Sequence, residues 1–328
     1  MVPKRTLGRR GPQISVIGVG LWQAGSIYWG GRNEQTLREI RRGIIRAIEH
    51  GINFFDTAEI YGKGVSEKIL GETLREAGAR DEAIIATKVA GYRWTRSDIL
   101  KAVKHSVERL GTHIDLIQHH WPPPFYAPLC RVVRALEEVV DRGLASYIGL
   151  SNYPTRLLQK ALECLKKHDI VSNQVQYSLA YRKPETSLKP FMEKHGITLI
   201  AWSPLAKGAL AGAKPDTLAK KLDPVFKRAS QDARLQETLE KIARRHNATK
   251  AEVALAWLIA RNAVPIPGFR KASRIDSIAR AAQLQLTEEE VRELDRVSST
   301  YAQGEYDSLR INRFIPGVLQ RLALLLGA

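Results

Sequence analysis

The sequence predicts an α/β fold, a (β/α)8 barrel, and three observations support this prediction. Eight short runs rich in apolar and β-branched residues recur along the chain. Amphipathic helical patterns such as EQTLREIRRGIIRAIEHG (34–51) follow most of them, as is typical of parallel strands with crossover helices. The 328 residues, 44% of them apolar, suffice for one large core, so we predict a single domain over residues 1–328.

A doubly wound sheet is the alternative architecture for the same alternation. Its dinucleotide-binding form carries a Gly-x-Gly-x-x-Gly turn after the first strand. Here Gly18 and Gly20 are followed by Gly25, so the third glycine stands at the wrong spacing. The missing fingerprint favours the barrel.

The predicted barrel strands end close to polar residues, and three further segments lie outside the repeating unit. A hairpin over residues 6–15 is expected to plug the barrel bottom. Long loops over 204–228 and from residue 298 onward are expected at the C-terminal face, where barrel active sites lie. The predicted strands are ISVIGVG (14–20), INFFDTA (52–58), AIIATKV (83–89), IDLIQHH (114–120), ASYIGLS (145–151), VSNQVQY (171–177), ITLIAWS (197–203) and AVPIPG (263–268).

The charge balance is strongly basic but does not identify a partner. Lys and Arg number 51 against 34 Asp and Glu, a formal net charge of +17. Such a charge attracts phosphates, nucleic acid or anionic lipid. The basic residues are nevertheless scattered beside acidic ones along the predicted helices, so no coherent nucleic-acid-binding face is predicted.

Cysteine count and hydropathy indicate a cytoplasmic protein. Cys130 and Cys164 are the only cysteines, too few for a disulfide scaffold, and both are interpreted as small core residues. Outside a Leu-rich tail (311–328), no apolar run approaches the roughly 20 residues of a bilayer span, and the first residues lack the apolar core of a secretory signal. The tail is expected to pack on the body or to form a subunit contact, in a monomer or small homo-oligomer.

Four side chains suited to proton transfer converge at the predicted barrel mouth. The second, third and fourth strands end near Asp56, Lys88 and His120, and Tyr61 follows Asp56 by five residues. An ammonium stabilises a phenolate, so we expect Lys88 to lower the pKa of Tyr61 from its usual value of about 10. Asp56 would hold the ammonium in place, and His120 would donate to a substrate oxygen. This combination suits proton delivery to a carbonyl.

Metal binding is not predicted. No H-E-x-x-H helix or clustered ligand set occurs, and adjacent histidines on a strand point to opposite faces, so His119 and His120 cannot bind one ion together. His120 comes two residues after Gln118, so both side chains are expected on the same face of the strand. We therefore assign His120 to the mouth and His119 to the side that faces the helices.

These residues belong to a series of motifs that resembles the aldo-keto reductases, from about Leu7 to about Thr300. The resemblance implies a barrel that binds NADPH in an extended form and an Asp-Tyr-Lys-His tetrad, which falls on Asp56, Tyr61, Lys88 and His120. The motifs, in the family's order, are DTAEIYG (56–62), TK (87–88), QHHWP (118–122), GLSN (149–152), NQVQYS (173–178), AWSPLAKG (201–208) and IPGFRKASR (266–274).

The resemblance also implies contacts along the whole cofactor, and aromatic residues in the loops at the mouth are expected to line the substrate pocket. At the nicotinamide end they are Gly20, Leu21, Trp22, Asp56, Ser151, Asn152, Gln174 and Trp202. Over the pyrophosphate they are Ser203, Pro204, Leu205 and Lys207. At the adenosine 2′-phosphate they are Gly268, Phe269, Arg270, Lys271 and Arg274. Around the substrate they are Trp22, Tyr61, Trp94, His120, Trp121 and Tyr301.

The expected activity is reversible hydride transfer from NADPH to small aldehydes or ketones, with Tyr61 as the general acid. The alternative is a redox-sensing, cofactor-binding regulatory subunit that resembles potassium-channel β subunits. Two positions depart from the family pattern. His119 replaces an apolar residue, and Ile278 stands where relatives commonly have an asparagine that reaches the adenine.

Overall fold

The computed structural model describes residues 1–25, 33–216 and 218–307, and within them the expected (β/α)8 barrel is confirmed. Two short strands, β1 (Lys4–Thr6) and β2 (Gln13–Ser15), form an antiparallel hairpin ahead of the barrel. Eight further strands form one parallel sheet in which each strand pairs with the next along the chain. They are β3 (Val19–Gly20), β4 (Phe54–Asp56), β5 (Ile84–Val89), β6 (Ile114–His119), β7 (Ala145–Ser151), β8 (Ile170–Gln176), β9 (Thr198–Trp202) and β10 (Val264–Pro265).

Backbone hydrogen bonds join the first and last strands and close the sheet. The Gly18 and Gly20 N–H groups donate to the carbonyls of Pro265 and Pro267 at 2.9 and 3.1 Å. A Cβ on Gly20 would lie only 2.9 Å from the Ile266 carbonyl oxygen. Glycine is therefore required where these two strands approach each other.

The first and last strands are shorter than the sequence pattern predicts. Residues 14–15 belong to the hairpin, because Ile14 and Ser15 pair with β1 and leave only Val19–Gly20 for the barrel. The strand predicted at 263–268 shrinks to two residues. Pro265 and Pro267 lack the N–H groups that a longer ladder needs.

The α-helices surround the sheet, and two of them interrupt the stretch predicted as a long loop over 204–228. Helix α7 lies within that stretch and α8 begins in it, because Asp223 caps α8 and Pro224 suits its first turn. In the described ranges the helices are α1 (Glu34–Glu49), α2 (Val65–Glu76), α3 (Arg96–Leu110), α4 (Leu129–Asp141), α5 (Thr155–Cys164), α6 (Leu188–His195), α7 (Leu218–Leu222), α8 (Pro224–Gln231), α9 (Ala233–Arg245), α10 (Lys250–Ala260), α11 (Arg274–Gln283) and α12 (Glu288–Val297).

The hairpin enters the barrel from the end where the strands begin. Leu7 and Ile14 are fully buried and pack in one cluster with Phe54 and other interior residues of the strands. The Gly8 N–H donates to the hydroxyl of Thr198, the first residue of β9, at 2.7 Å. The bottom of the barrel is thereby filled, which leaves the opposite mouth for chemistry.

The interpretation of both cysteines as small core residues is confirmed for Cys164 and wrong for Cys130. Cys130 is exposed in the first turn of α4, and Cys164 is the buried last residue of α5. The two form a disulfide with a Cα–Cα distance of 5.0 Å, because these neighbouring helices bring them together across 34 residues of sequence.

No helix among the described residues is both long and apolar enough to cross a bilayer. The tail over 311–328, with its predicted packing or subunit contact, lies outside the described residues.

Candidate active site

The four side chains predicted for catalysis cluster at the end of the barrel where the strands finish. Asp56 ends β4, Lys88 is the last but one residue of β5, and His120 follows β6. Tyr61 begins a short 3₁₀ turn after β4. Its ring centroid lies 5.7 Å from that of His120 and 4.9 Å from Lys88 Nζ.

Lys88 is the centre of this cluster and is fully buried. Its ammonium donates to Asp56 Oδ2 at 2.6 Å, to the Thr57 carbonyl at 2.9 Å and to the Tyr61 hydroxyl oxygen at 3.3 Å. An ammonium has three N–H donors and no acceptor. All three donors are therefore used, and one of the three hydrogen bonds goes to Tyr61, the predicted acid.

Two amide side chains hold the other oxygen of Asp56. Gln174 Nε2 donates to Asp56 Oδ1 at 2.7 Å, and Gln118 Nε2 donates to the same atom at 3.2 Å. Gly149 makes room for them, since a Cβ there would lie 3.0 Å from Gln118 Cγ. Gln174 thus supports the carboxylate as well as standing at a predicted nicotinamide position. The sequence pattern predicted that Gln118 faces the barrel interior, but it did not indicate the hydrogen bond to Asp56.

The pKa of Tyr61 is raised, because burial disfavours the phenolate and the Lys88 charge offsets only part of that penalty. The expected net lowering by Lys88 is therefore wrong. Burial alone would lower the pKa of Lys88, but Asp56 and Tyr61 attract and hydrogen-bond the ammonium, and the pKa of Lys88 is raised. Both groups consequently hold their protons at neutral pH.

The two adjacent histidines point to opposite faces of the sheet. As predicted, His120 lies beside Tyr61 at the barrel mouth and His119 lies on the other face. His119 lies 2.7 Å from the Tyr153 hydroxyl through Nδ1 and 3.1 Å from the Arg93 carbonyl through Nε2. Burial lowers its pKa to about 4, so the neutral ring donates to Arg93 and accepts from Tyr153. Burial also lowers the pKa of His120 well below 6.5, and the Lys88 charge adds to this. Within the part of the chain that the structure describes, the buried Nδ1 of His120 lacks a hydrogen-bond partner.

Asn152 connects the residues predicted to receive the nicotinamide. Its Nδ2 donates to the His120 carbonyl at 3.0 Å and to Ser151 Oγ at 3.1 Å. Its Oδ1 accepts from Trp202 Nε1 at 2.9 Å and from the Tyr306 hydroxyl at 3.0 Å. The sequence pattern did not indicate Tyr306, which lies 154 residues away from Asn152.

An ion pair that the sequence pattern also did not indicate fixes the start of the loop carrying Tyr61. Glu59 Oε1 accepts from the Ala90 N–H and from Arg93 Nε, both at 2.7 Å. Arg93 also pairs with Asp98 at the beginning of α3. The only available signal was the glutamate inside DTAEIYG, because its partner lies 34 residues further on.

Comparison with known proteins identifies this architecture. A family model described as "Aldo/keto reductase family" matches residues 16–299. The chain belongs to this family. The suspected resemblance is thereby confirmed, and the protein is an oxidoreductase of the aldo-keto reductase type.

Individual relatives agree over nearly their whole lengths. The chain is 32% identical to the chloroplastic pyridoxal reductase of Arabidopsis thaliana over 310 residues, 88% of this chain and 84% of that protein. A thermostable aldo-keto reductase solved with the inhibitor epalrestat superposes with a TM-score of 0.76 at 32% identity, over 90% of this chain and all of the other. One from Klebsiella pneumoniae, solved with NADPH, gives 0.74 at 28% identity, over 94% and 98% of the two chains.

The cations predicted for the 2′-phosphate lie together after the last strand of the barrel. Arg270, Lys271 and Arg274 are exposed on one turn that leads into α11. Glu39 Oε2 accepts from the Ala272 N–H at 2.9 Å and so ties this turn to α1. Three accessible cations on an anchored turn fit a phosphate monoester, because guanidinium groups bind phosphate oxygens bidentately.

Two apolar residues near these cations face the core. Phe269 is 3% exposed, and a Cβ on Gly43 of α1 would lie 2.1 Å from its ring. Its side chain therefore packs on the helix, and the predicted contact of Phe269 with the cofactor stays a prediction. Ile278 is 4% exposed and is also part of the core.

The loop after β9, predicted to cover the pyrophosphate, has unusual backbone geometry. Ser203 and Lys207 have left-handed φ values of 52° and 56°. Such conformations cost about 1–3 kcal/mol each and cluster at ligand clamps. The Lys207 ammonium pairs with Asp223, the cap of α8, so the predicted pyrophosphate cation has a carboxylate partner in this structure.

The predicted substrate residues separate into two groups. Trp22 and Trp121 lie beside the catalytic cluster, with ring centroids 6.5 Å from Tyr61 and 4.9 Å from His120. Trp94 instead contacts Tyr126 and the Arg131 guanidinium, at 6.2 and 5.7 Å between centres. The Tyr301 hydroxyl donates at 2.9 Å to Oδ2 of Asp232, which caps α9.

Proposed function

We propose that the protein reduces aldehydes and ketones with NADPH, reversibly with the corresponding alcohols and NADP⁺. The observation that carries the proposal is the direction of the hydrogen bond between Lys88 and Tyr61. The ammonium can only donate, so the Tyr61 oxygen accepts, and the phenolic hydrogen is left for another acceptor. A carbonyl oxygen in the mouth would be that acceptor, with Tyr61 as the general acid.

NADPH, when bound, supplies the hydride that reduces the carbonyl carbon. Tyr61 transfers its proton to the carbonyl oxygen, and Lys88 stabilises the phenolate that remains. Asp56 keeps the ammonium charged, in agreement with the raised pKa of Lys88. His120 is neutral because burial lowers its pKa, so its ring can hydrogen-bond the same oxygen without adding a positive charge.

The cofactor would lie along the mouth from the Asn152 cluster to the turn after β10. Ser151, Asn152, Gln174 and Trp202 would hold the nicotinamide. Their mutual hydrogen bonds support this, together with the bond from Gln174 to Asp56. Arg270, Lys271 and Arg274 would select NADPH over NADH, because a 2′-phosphate adds charge-assisted hydrogen bonds that NADH cannot form. The similarity to a Klebsiella pneumoniae reductase solved with NADPH also supports this cofactor.

The substrate would enter beside Trp22 and Trp121, whose rings flank the acid and the imidazole. Apolar walls of this kind exclude water from the reacting carbonyl and orient it by contact. A small carbonyl compound with an apolar substituent is therefore the proposed substrate class.

A panel of aldehydes and ketones tests this function when NADPH consumption is followed with wild type and with Tyr61→Phe. We expect NADPH to be consumed faster than NADH with at least one carbonyl compound, and Tyr61→Phe to lose nearly all of this turnover. Equal rates in the two proteins across the panel would contradict the proposal. Calorimetric titration with NADPH in the absence of a carbonyl tests cofactor binding separately.

A further inference from the structure

Tyr306 lies beyond the residues that the family model matches, which end at 299, yet its side chain reaches the active site. It is 2% exposed, and its hydroxyl lies 3.0 Å from Asn152 Oδ1. Other contacts hold the segment that leads to it. The Arg182 backbone N–H donates to the Tyr301 carbonyl at 2.9 Å, and the single hydroxyl donor of Thr186 lies 3.1 and 3.2 Å from two carbonyl oxygens of the segment.

The partners of Asn152 fix the orientation of its amide. Nδ2 faces the carbonyl of His120, which can only accept, and Oδ1 faces the indole N–H of Trp202, which can only donate. The amide cannot be reversed without breaking both bonds. The phenol of Tyr306 therefore donates to Oδ1, and together with Ser151 it completes four hydrogen bonds on one amide.

Asn152 transmits this constraint to the residues around it. Its backbone is left-handed, with φ at 62°, a conformation that asparagine tolerates better than most residues. Its N–H donates to the Gln174 carbonyl at 2.8 Å. Through its side chain Asn152 thus links the main chain that carries His120 and the indole of Trp202, and through its backbone it links the strand that carries Gln174.

We propose that Tyr306 is a positioning residue that fixes Asn152 and Trp202 in the geometry that receives the nicotinamide. This inference rests on the proposed NADPH-dependent function. Without the Tyr306 hydroxyl, Oδ1 keeps one donor, and the amide and indole gain freedom in the unbound protein. Cofactor binding must then remove that freedom, so the loss falls on affinity.

Tyr306→Phe removes the hydroxyl and keeps the ring. Calorimetric titration with NADPH should give a Kd about 2- to 12-fold higher than that of wild type, the range that one net hydrogen bond corresponds to. The KM for the carbonyl substrate should not change, because Tyr306 acts through Asn152. An unchanged NADPH Kd would overturn the proposal.

Tyr177→Phe is the matched control. Tyr177 is also fully buried, and its hydroxyl donates to Glu185 Oε1 at 2.7 Å. This variant loses a hydrogen bond to a carboxylate, so its melting temperature should fall at least as far as that of Tyr306→Phe, while its NADPH Kd stays at the wild-type value. An equal rise of the Kd in both variants would show a general structural effect and would overturn the proposed role.

Trp202→Phe removes the other donor to Asn152 Oδ1 and tests the route of the effect. Removing both donors leaves a buried acceptor without either bond, so the double variant should weaken NADPH binding by more than the product of the single effects. A multiplicative result would contradict a route through Asn152. If the wild type binds no NADPH, the proposed function and this inference are both overturned. If the wild type binds NADPH and Tyr306→Phe has the same Kd, only this inference is overturned.

Discussion

The two ends of the proposed cofactor site are held in place by different physical means. At the catalytic end, Asp56 and Lys88 are 2% and 0% exposed and lie 2.6 Å apart. At the adenosine end, Arg270 and Arg274 are exposed on a turn after the last strand. Burial makes each charge at the first end depend on its partner, whereas water and salt screen the second. Catalytic-end changes should therefore alter stability and rate, and adenosine-end changes should alter affinity.

Replacing one lysine with methionine at each end of the site should give the largest difference in stability and turnover between the two ends. Lys88→Met leaves the buried Asp56 carboxylate without its ammonium, which should lower the free energy of unfolding by about 3–5 kcal/mol. It should also reduce kcat on the order of 10²- to 10⁴-fold, because the phenolate is no longer stabilised. Denaturant unfolding and steady-state kinetics measure the two effects.

Lys271→Met is the control at the exposed end. Its free energy of unfolding should stay within about 0.5 kcal/mol of wild type, as for most surface changes. A comparable loss of stability in both variants would break the distinction between a buried and a screened end.

Within the catalytic end, substitution of one adjacent histidine should chiefly affect the reaction rate, and substitution of the other should chiefly affect stability. His120→Ala should lower kcat/KM on the order of 10²-fold, as loss of a hydrogen bond to the reacting oxygen does. His119→Ala should chiefly lower stability, because it removes partners from the Tyr153 hydroxyl and the Arg93 carbonyl. Kinetics at equal folded fraction give the ranking, and the reverse ranking would show that the strand register has been assigned one residue off.

The exposed end should control which cofactor binds. Replacing Arg270 and Arg274 together with alanine should raise the NADPH Kd by about tenfold or more, since each charge-assisted bond is worth roughly 1.5–3 kcal/mol before screening. The NADH Kd should change little, and the wild-type preference should weaken in high salt. Titrations with both cofactors measure this, and an equal loss for both would assign the arginines to the fold instead of the phosphate.

The smallest expected effect is a pH dependence of stability from His119. Its folded pKa of about 4 lies below the unfolded value near 6.5, so the unfolded chain binds a proton first as pH falls. Stability is therefore lost on acidification, by about 1 kcal/mol between pH 7 and 5.5. His119→Gln should lack this part of the loss in denaturant unfolding at the two pH values. The same slope in the variant would exclude His119 as its source.

The barrel and the catalytic cluster could be predicted from the sequence, because both follow from the order of strands and helices along the chain. Strand ends in a barrel meet at one mouth, so Asp56, Lys88 and His120 could be placed together from their positions alone. Strand ends were harder to predict at Pro265, where missing N–H groups shorten the ladder.

Features that depend on distant packing could not be predicted. The Cys130–Cys164 disulfide requires the packing of α4 against α5, and the contact of Tyr306 with Asn152 spans 154 residues. The pKa of Tyr61 was predicted in the wrong direction, because the sequence shows the neighbouring charge of Lys88 but not the degree of burial. Each of these features is set by tertiary structure and leaves no periodic signal.

Tyr61→Phe tests the central claim most directly when turnover and NADPH binding are measured on the same preparation. If Tyr61 delivers the proton, kcat should fall on the order of 10²- to 10⁴-fold while the calorimetric Kd for NADPH stays at its wild-type value. Near-normal turnover, with NADPH binding intact, would contradict the assignment of Tyr61 as the general acid.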